Sequence, residues 1–178
     1  MTSSSSPAPD AGRDEVDRII AGWRRARADL DTAPLGVFSR ISRLARLLEA
    51  ARREAFSGAG LEGWEFDMLS ALRRSGEDAL SPGALAQQTL VTSGTMTTRL
   101  DKLSARGLVS RSRSPHDGRA VEVRLLPEGI TRIDAAMERL LTAEDSLLEP
   151  LDAQEREVLA SMLRTLALGF EPADEDGA

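Results

Sequence analysis

The chain has 178 residues, 41% of them hydrophobic, and a formal net charge of −6, enough mass for one well-buried domain or one domain with a dimerisation extension. Zero cysteines exclude disulfides and thiolate metal sites, and a single histidine argues against a histidine-rich zinc centre and a Ser-His-Asp triad. With no glycine-rich phosphate loop, no apolar run of bilayer length and no leader-like N-terminus, the expectation is a soluble, cytoplasmic protein without cofactor or metal that is not an enzyme.

Residues 1–12 are rich in Ser and Pro and read as a disordered N-terminus. Asp14–Asp29 reads as a first helix whose apolar stripe is Val16, Ile19, Ile20, Trp23 and Ala26, with Asp14 and Glu15 at its positive end. A turn at Leu30–Pro34 leads into a second helix over Pro34–Phe56, ended by Ser57-Gly58-Ala59-Gly60. Together, residues 13–60 form an N-terminal helical region. Trp64–Ser75 is a third helix and Pro82–Thr89 a short fourth, with Ser81 as N-cap and Pro82 as its first residue. Thr92 or Ser93 caps a fifth helix that ends near Ala105, before Gly107.

Two short strands then flank an Arg-studded turn, Ser114-Pro115-His116-Asp117-Gly118-Arg119, and Val121, Val123 and Leu125 alternate as a half-buried strand does. A polar helix followed by a basic hairpin is the shape of a winged helix-turn-helix, assigned to residues 61–129. The last quarter is helical again, over Pro127–Leu148 and Asp152–Phe170. These helices (residues 130–170) are amphipathic and long, which predicts pairing with a second copy, and residues 171–178 form an acidic tail. The fold class is therefore mainly α with a small β-hairpin wing.

Charge follows the same partition. Residues 91–132 hold 8 Lys/Arg against 4 Asp/Glu, a balance of +4, whereas residues 133–178 hold 3 against 12, a balance of −9. Salt screens charges beyond roughly 10 Å, so DNA would respond to the local cationic surface rather than to the whole-chain charge.

The stretch Asp117-Gly118-Arg119-Ala120-Val121-Glu122-Val123-Arg124-Leu125-Leu126-Pro127-Glu128-Gly129 resembles the wing pattern D-x-R-x-x-x-V-x-L-T-x-x-G of the MarR family of winged-helix transcription regulators. Leu126 departs from it, since the pattern has Thr and its capping oxygen there. The resemblance implies a minor-groove role for Arg119, oriented by Asp117, in keeping with the attraction of Arg to a narrow, electronegative groove. A second segment, Trp23 to Pro34, fits W-x-x-x-R-x-D-L-D-x-x-P and is similar to the urate-responsive branch, as is Glu65-Phe66-Asp67-Met68-Leu69. That branch implies an added first helix and an effector pocket, carried here onto Trp23, Asp67 and Arg99 with Arg27 as a further member. It includes regulators answering tricarboxylates such as aconitate and citrate, so the effector is a urate-like or a tricarboxylate anion.

The DNA-contacting set is Ser93, Thr95, Thr97, Thr98, Lys102, Arg111, Arg113, Asp117 and Arg119: short hydroxyls that approach bases and phosphates, and arginines around one turn. Arg99 either touches DNA or faces an effector. Trp23 is a core residue or a pocket wall, and Asp67 a surface carboxylate or half of a switch in which it pairs with Arg99. The expected function is a ligand-responsive repressor that binds a pseudo-palindromic operator as a homodimer, has no membrane partner and is released by a small organic anion. The alternatives are a helical small-molecule-binding protein, or an anti-repressor or adaptor, that does not bind DNA.

Overall fold

The computed structural model describes residues 12–113 and 120–170. Among them the order is α1 (Glu15–Ala26), α2 (Ala33–Gly58), α3 (Gly63–Arg74), α4 (Pro82–Thr89), α5 (Ser93–Ala105), β1 (Val109–Arg113), β2 (Val121–Leu125), α6 (Pro127–Leu147) and α7 (Ala153–Leu168). No described helix is long and apolar enough to cross a membrane. The chain divides at Ala50 into two compact units.

In the first unit, α1 begins at a reciprocal cap: Asp14 accepts from the Asp17 amide and Asp17 from the Asp14 amide, each at 3.0 Å. Arg40, on α2, clasps both carboxylates, with Nε 2.8 Å from Asp14 and Nη2 2.9 Å from Asp17. Val16 is the buried residue of the α1 stripe, while Trp23 is half exposed.

The second unit holds the winged head. Helix α3 packs against α4, α6 and β2, and α4 packs against α5. Their apolar faces share one core, including Met68, Leu69, Leu85, Leu100, Leu103, Leu108, Val123 and Ile133. The strands pair antiparallel with Val109 opposite Leu125 and Arg113 opposite Val121. Leu80 joins their sheet by reciprocal backbone bonds with Val123, at 3.1 and 2.9 Å.

Two glycines have conformational work to do here. Gly107 follows α5 at φ +67°, the left-handed region that a side chain resists. Gly129 lies in the first turn of α6, where a Cβ would run into the carbonyl oxygen of Leu108. That oxygen accepts the Leu126 amide at 3.0 Å, so the strand-to-helix corner closes only if residue 129 is bare. Helix α6 starts at Pro127 without a side-chain cap from Leu126; proline at the first position supplies the starting φ instead.

Candidate nucleic-acid interface

Helices α4 and α5 form the helix-turn-helix. Ser81 caps α4, accepting from the Ala84 amide at 3.1 Å, and Pro82 is its first residue. The turn reverses at Leu90, which ends α4 in the left-handed region at φ 52° with its side chain in solvent. Thr92, rather than Ser93, caps α5.

The apolar face of α5 (Met96, Leu100 and Leu103) is buried, and this turns Ser93, Thr95, Thr97, Thr98 and Lys102 outward. Thr97 and Thr98 donate their hydroxyl protons to the carbonyls of Ser93 and Gly94, at 3.2 and 3.3 Å. Their remaining lone pairs face solvent as acceptors, suited to donors on base edges.

The arginines separate into those already engaged and those left open. Arg111 of β1 donates to Asp101 of α5 at 2.6 Å, fastening the hairpin to the helix. Arg106, at the end of α5, is held by Glu65 and by the Gly60 carbonyl at 2.7 Å. Glu65 is almost completely buried and also accepts the Glu62 amide at 2.9 Å, closing a capping box at the start of α3. Arg113 is exposed and has no ion pair among the described residues. Asp117, Arg119 and His116 lie outside the described residues.

Arg99 and Lys102 instead lie over the ring of Trp64, at 5.4 and 5.9 Å from its centroid. Both are cation–π distances. The indole Nε1 donates to Glu62 at 2.7 Å, which fixes the ring. A cleft of about 420 Å³ opens between this ring and α5, lined also by Gly94, Thr95 and Thr98. The role of Trp64 was not visible in the sequence beyond its place at the start of a helix.

The four residues expected in an effector pocket are placed as follows. Trp23 is half exposed on α1. Arg27 grips Asp29 through two hydrogen bonds of 2.8 and 2.7 Å; that bond raises the Arg27 pKa and lowers that of Asp29. No hydrogen bond or ion pair joins Asp67 to Arg99 among the described residues, so the expected switch pair is corrected: Trp64 is the α3 side chain beneath Arg99. Asp67 opens onto a separate depression of about 210 Å³ that it shares with Arg52, Ser70, Arg74 and Thr89. The Arg52 Nε is itself closed off from solvent and has no hydrogen-bond partner among the described residues. No metal-binding cluster of His, Cys, Asp or Glu exists among the described residues.

Similarities to known proteins bear on this geometry. A family model described as "MarR family" matches residues 59–120, the span from the α2–α3 link to just before β2. The HTH-type transcriptional regulator PecS of Dickeya dadantii is 34% identical over 150 residues, 84% of this chain and 90% of that protein. A MarR family protein from Bacillus stearothermophilus superposes with a TM-score of 0.67 at 25% identity, over 79% of this chain and 97% of that one. BpsR of Bordetella bronchiseptica, whose DNA binding is regulated by 6-hydroxynicotinic acid, superposes with a TM-score of 0.59 at 25% identity, over 74% and 92%.

Proposed function

The chain belongs to the MarR family of winged helix-turn-helix, DNA-binding transcription regulators, and we propose that within it this protein is a repressor that binds a pseudo-palindromic operator as a homodimer and leaves it when a small organic anion binds. The observation that carries the DNA-contact assignment is the outward row Thr95, Thr97, Thr98 and Lys102 on a helix whose opposite face is locked into the core. In this reading α5 enters the major groove and the hairpin, with Arg113 and Arg119, follows the flanking minor groove. Dimerisation is supported by α7, which has no buried residue and exposes Val158, Leu159, Met162, Leu163 and Leu166. Two copies related by a two-fold axis would read half-sites about 10 bp apart or a multiple of that.

We infer that the effector is a urate-like or tricarboxylate anion, and Trp23, Arg27, Asp67 and Arg99 are the candidates whose separate substitution should alter its effect. An anionic ligand is supported by Arg52 and Arg74, two cations that line the depression next to Asp67 and suit an anionic acceptor. BpsR, which answers an aromatic carboxylic acid, is a precedent for this class of signal. The effector shifts the equilibrium only as far as it prefers the DNA-incompetent geometry, and coupling of about 1–3 kcal/mol corresponds to roughly 5–150-fold release.

The test is a gel shift of the full chain on the DNA upstream of its own gene, with urate, citrate, aconitate and 6-hydroxynicotinate added in turn. The expected result is a salt-sensitive complex that one of these anions dissolves. A chain that binds no duplex from that region would overturn the repressor reading; binding that no anion alters would remove the effector.

A further inference from the structure

The stripe Arg99, Lys102, Arg106 repeats at i, i+3, i+7 along α5, and all three cations meet the first turn of α3. They meet it in two chemically different ways. Arg106 meets a buried carboxylate and is neutralised. Arg99 and Lys102 meet an aromatic face, which attracts a cation through its quadrupole without occupying its N–H donors or cancelling its charge. Neither has a hydrogen bond or ion pair among the described residues. Two long, flexible cations are thus restrained while their donors stay open, and with Thr95 and Thr98 they form the α5 wall of the cleft whose other wall is Trp64.

We propose that this cleft seats a backbone phosphate of the bound DNA, and that Trp64 is its positioning residue, presenting Arg99 and Lys102 to the phosphate. The cleft runs along the flank of α5 that carries Thr95, Thr98 and Lys102 of the outward row, where a duplex strand would pass. A phosphodiester is the group that accepts from guanidinium, ammonium and hydroxyl donors together. Glu62 anchors the indole through Nε1, and the Glu65–Arg106 pair ties the same turn to the end of α5, so helix and platform form one rigid device. Restraining the two side chains beforehand lowers the ordering cost of the contact. The proposal rests on α5 being the DNA-contacting helix, and the experiment distinguishes the two.

The full chain first selects a duplex from a random pool; if it selects none, the helix assignment fails and not the platform alone. On that duplex, affinity and salt dependence are measured for wild type, Trp64→Leu, Trp64→Phe, Arg99→Ala/Lys102→Ala and the latter combined with Trp64→Leu. Trp64→Leu is expected to weaken binding about 10-fold and to make the salt slope shallower by about 1–2. In the Arg99→Ala/Lys102→Ala background the same change should cost less than about 2-fold, because Trp64 acts through those cations. Trp64→Phe, which keeps an aromatic face, should recover most of the loss.

Equal losses in both backgrounds, or no loss in the first, overturn the proposal. A readout that needs no disabling change is the emission of Trp64 in Trp23→Phe protein, whose own duplex affinity is measured alongside. The selected duplex should shift it, and inorganic phosphate at matched ionic strength should not. An emission unmoved by the duplex, or moved as far by inorganic phosphate, overturns the assignment to a DNA phosphate.

Discussion

The winged head and α7 are built from the same kinds of apolar residue and end in opposite states. In the head, Leu85, Leu100, Leu103 and Leu108 are sealed from solvent by neighbours in the same chain. In α7, Leu159, Leu163 and Leu166 lie on one face of a helix with a reciprocal cap at Asp152 and Glu155, yet each remains 37–43% exposed. Local signals therefore make both elements helical, but only the head finds its packing partners within one copy. On the proposed homodimer, the contrast separates what the protein needs in order to fold from what it needs in order to assemble. Stability and operator binding should accordingly respond to different substitutions.

The largest expected effect comes from α7. Leu159→Glu together with Leu163→Glu should convert a dimer to a monomer in sedimentation and lower operator affinity about 10²–10⁴-fold, the contribution of a tethered second half-site. If the doubly charged variant still sediments as a dimer, α7 is not the assembly surface. In the head, Leu103→Ala should instead lower folding stability by about 2–5 kcal/mol, the cost of a cavity beneath α5, read as a lower denaturant midpoint. Gly129→Ala comes next, at about 1–3 kcal/mol, since the new methyl must displace the Leu108 carbonyl or the start of α6. A Gly129→Ala chain with an unchanged midpoint would mean that this corner relaxes freely.

Much of the architecture was legible before any coordinates because its signals are local. Ser81 and Thr92 announce helix starts through the side-chain oxygens they offer to amides three residues on, and Asp14, read as an acid at the positive end of the first helix, is the cap of α1. The stripe Met96, Leu100, Leu103 fixes which side of α5 faces inward, and by elimination which faces a ligand. What could not be read was tertiary pairing among polar groups. Asp67 and Arg99 were expected to meet, whereas the structure puts Trp64 beneath Arg99 and buries Glu65 against Arg106. Spacing along a helix says which residues share a face; it does not say which neighbouring turn that face meets. The one available hint was Glu62 with Glu65, the i, i+3 pattern of a capping box, which would have placed a carboxylate pair at the foot of α3.

The smallest expected effect lies in the first unit and sharpens the comparison by isolating a contact that is neither core nor assembly surface. Arg40 and the Asp17 amide hold the Asp14 carboxyl at a pKa of about 2, down from the ordinary 3.8. A group whose folded pKa is depressed stabilises the fold above its unfolded pKa, and that contribution disappears as the pH falls through the folded value. The cap of α1 should therefore be intact from neutral pH to about 4 and be lost between about 4 and 2. Because the cluster is open to solvent, salt should weaken it as well. Protection of the α1 amides, taken relative to the intrinsic exchange rate at each pH, should fall across that acid window in the wild-type chain and be low throughout in Arg40→Gln. Exchange in α5 should be indifferent to the same substitution. If Arg40→Gln leaves the acid profile of α1 unchanged, the helix is held by its own cap and not by the arginine reaching over from α2.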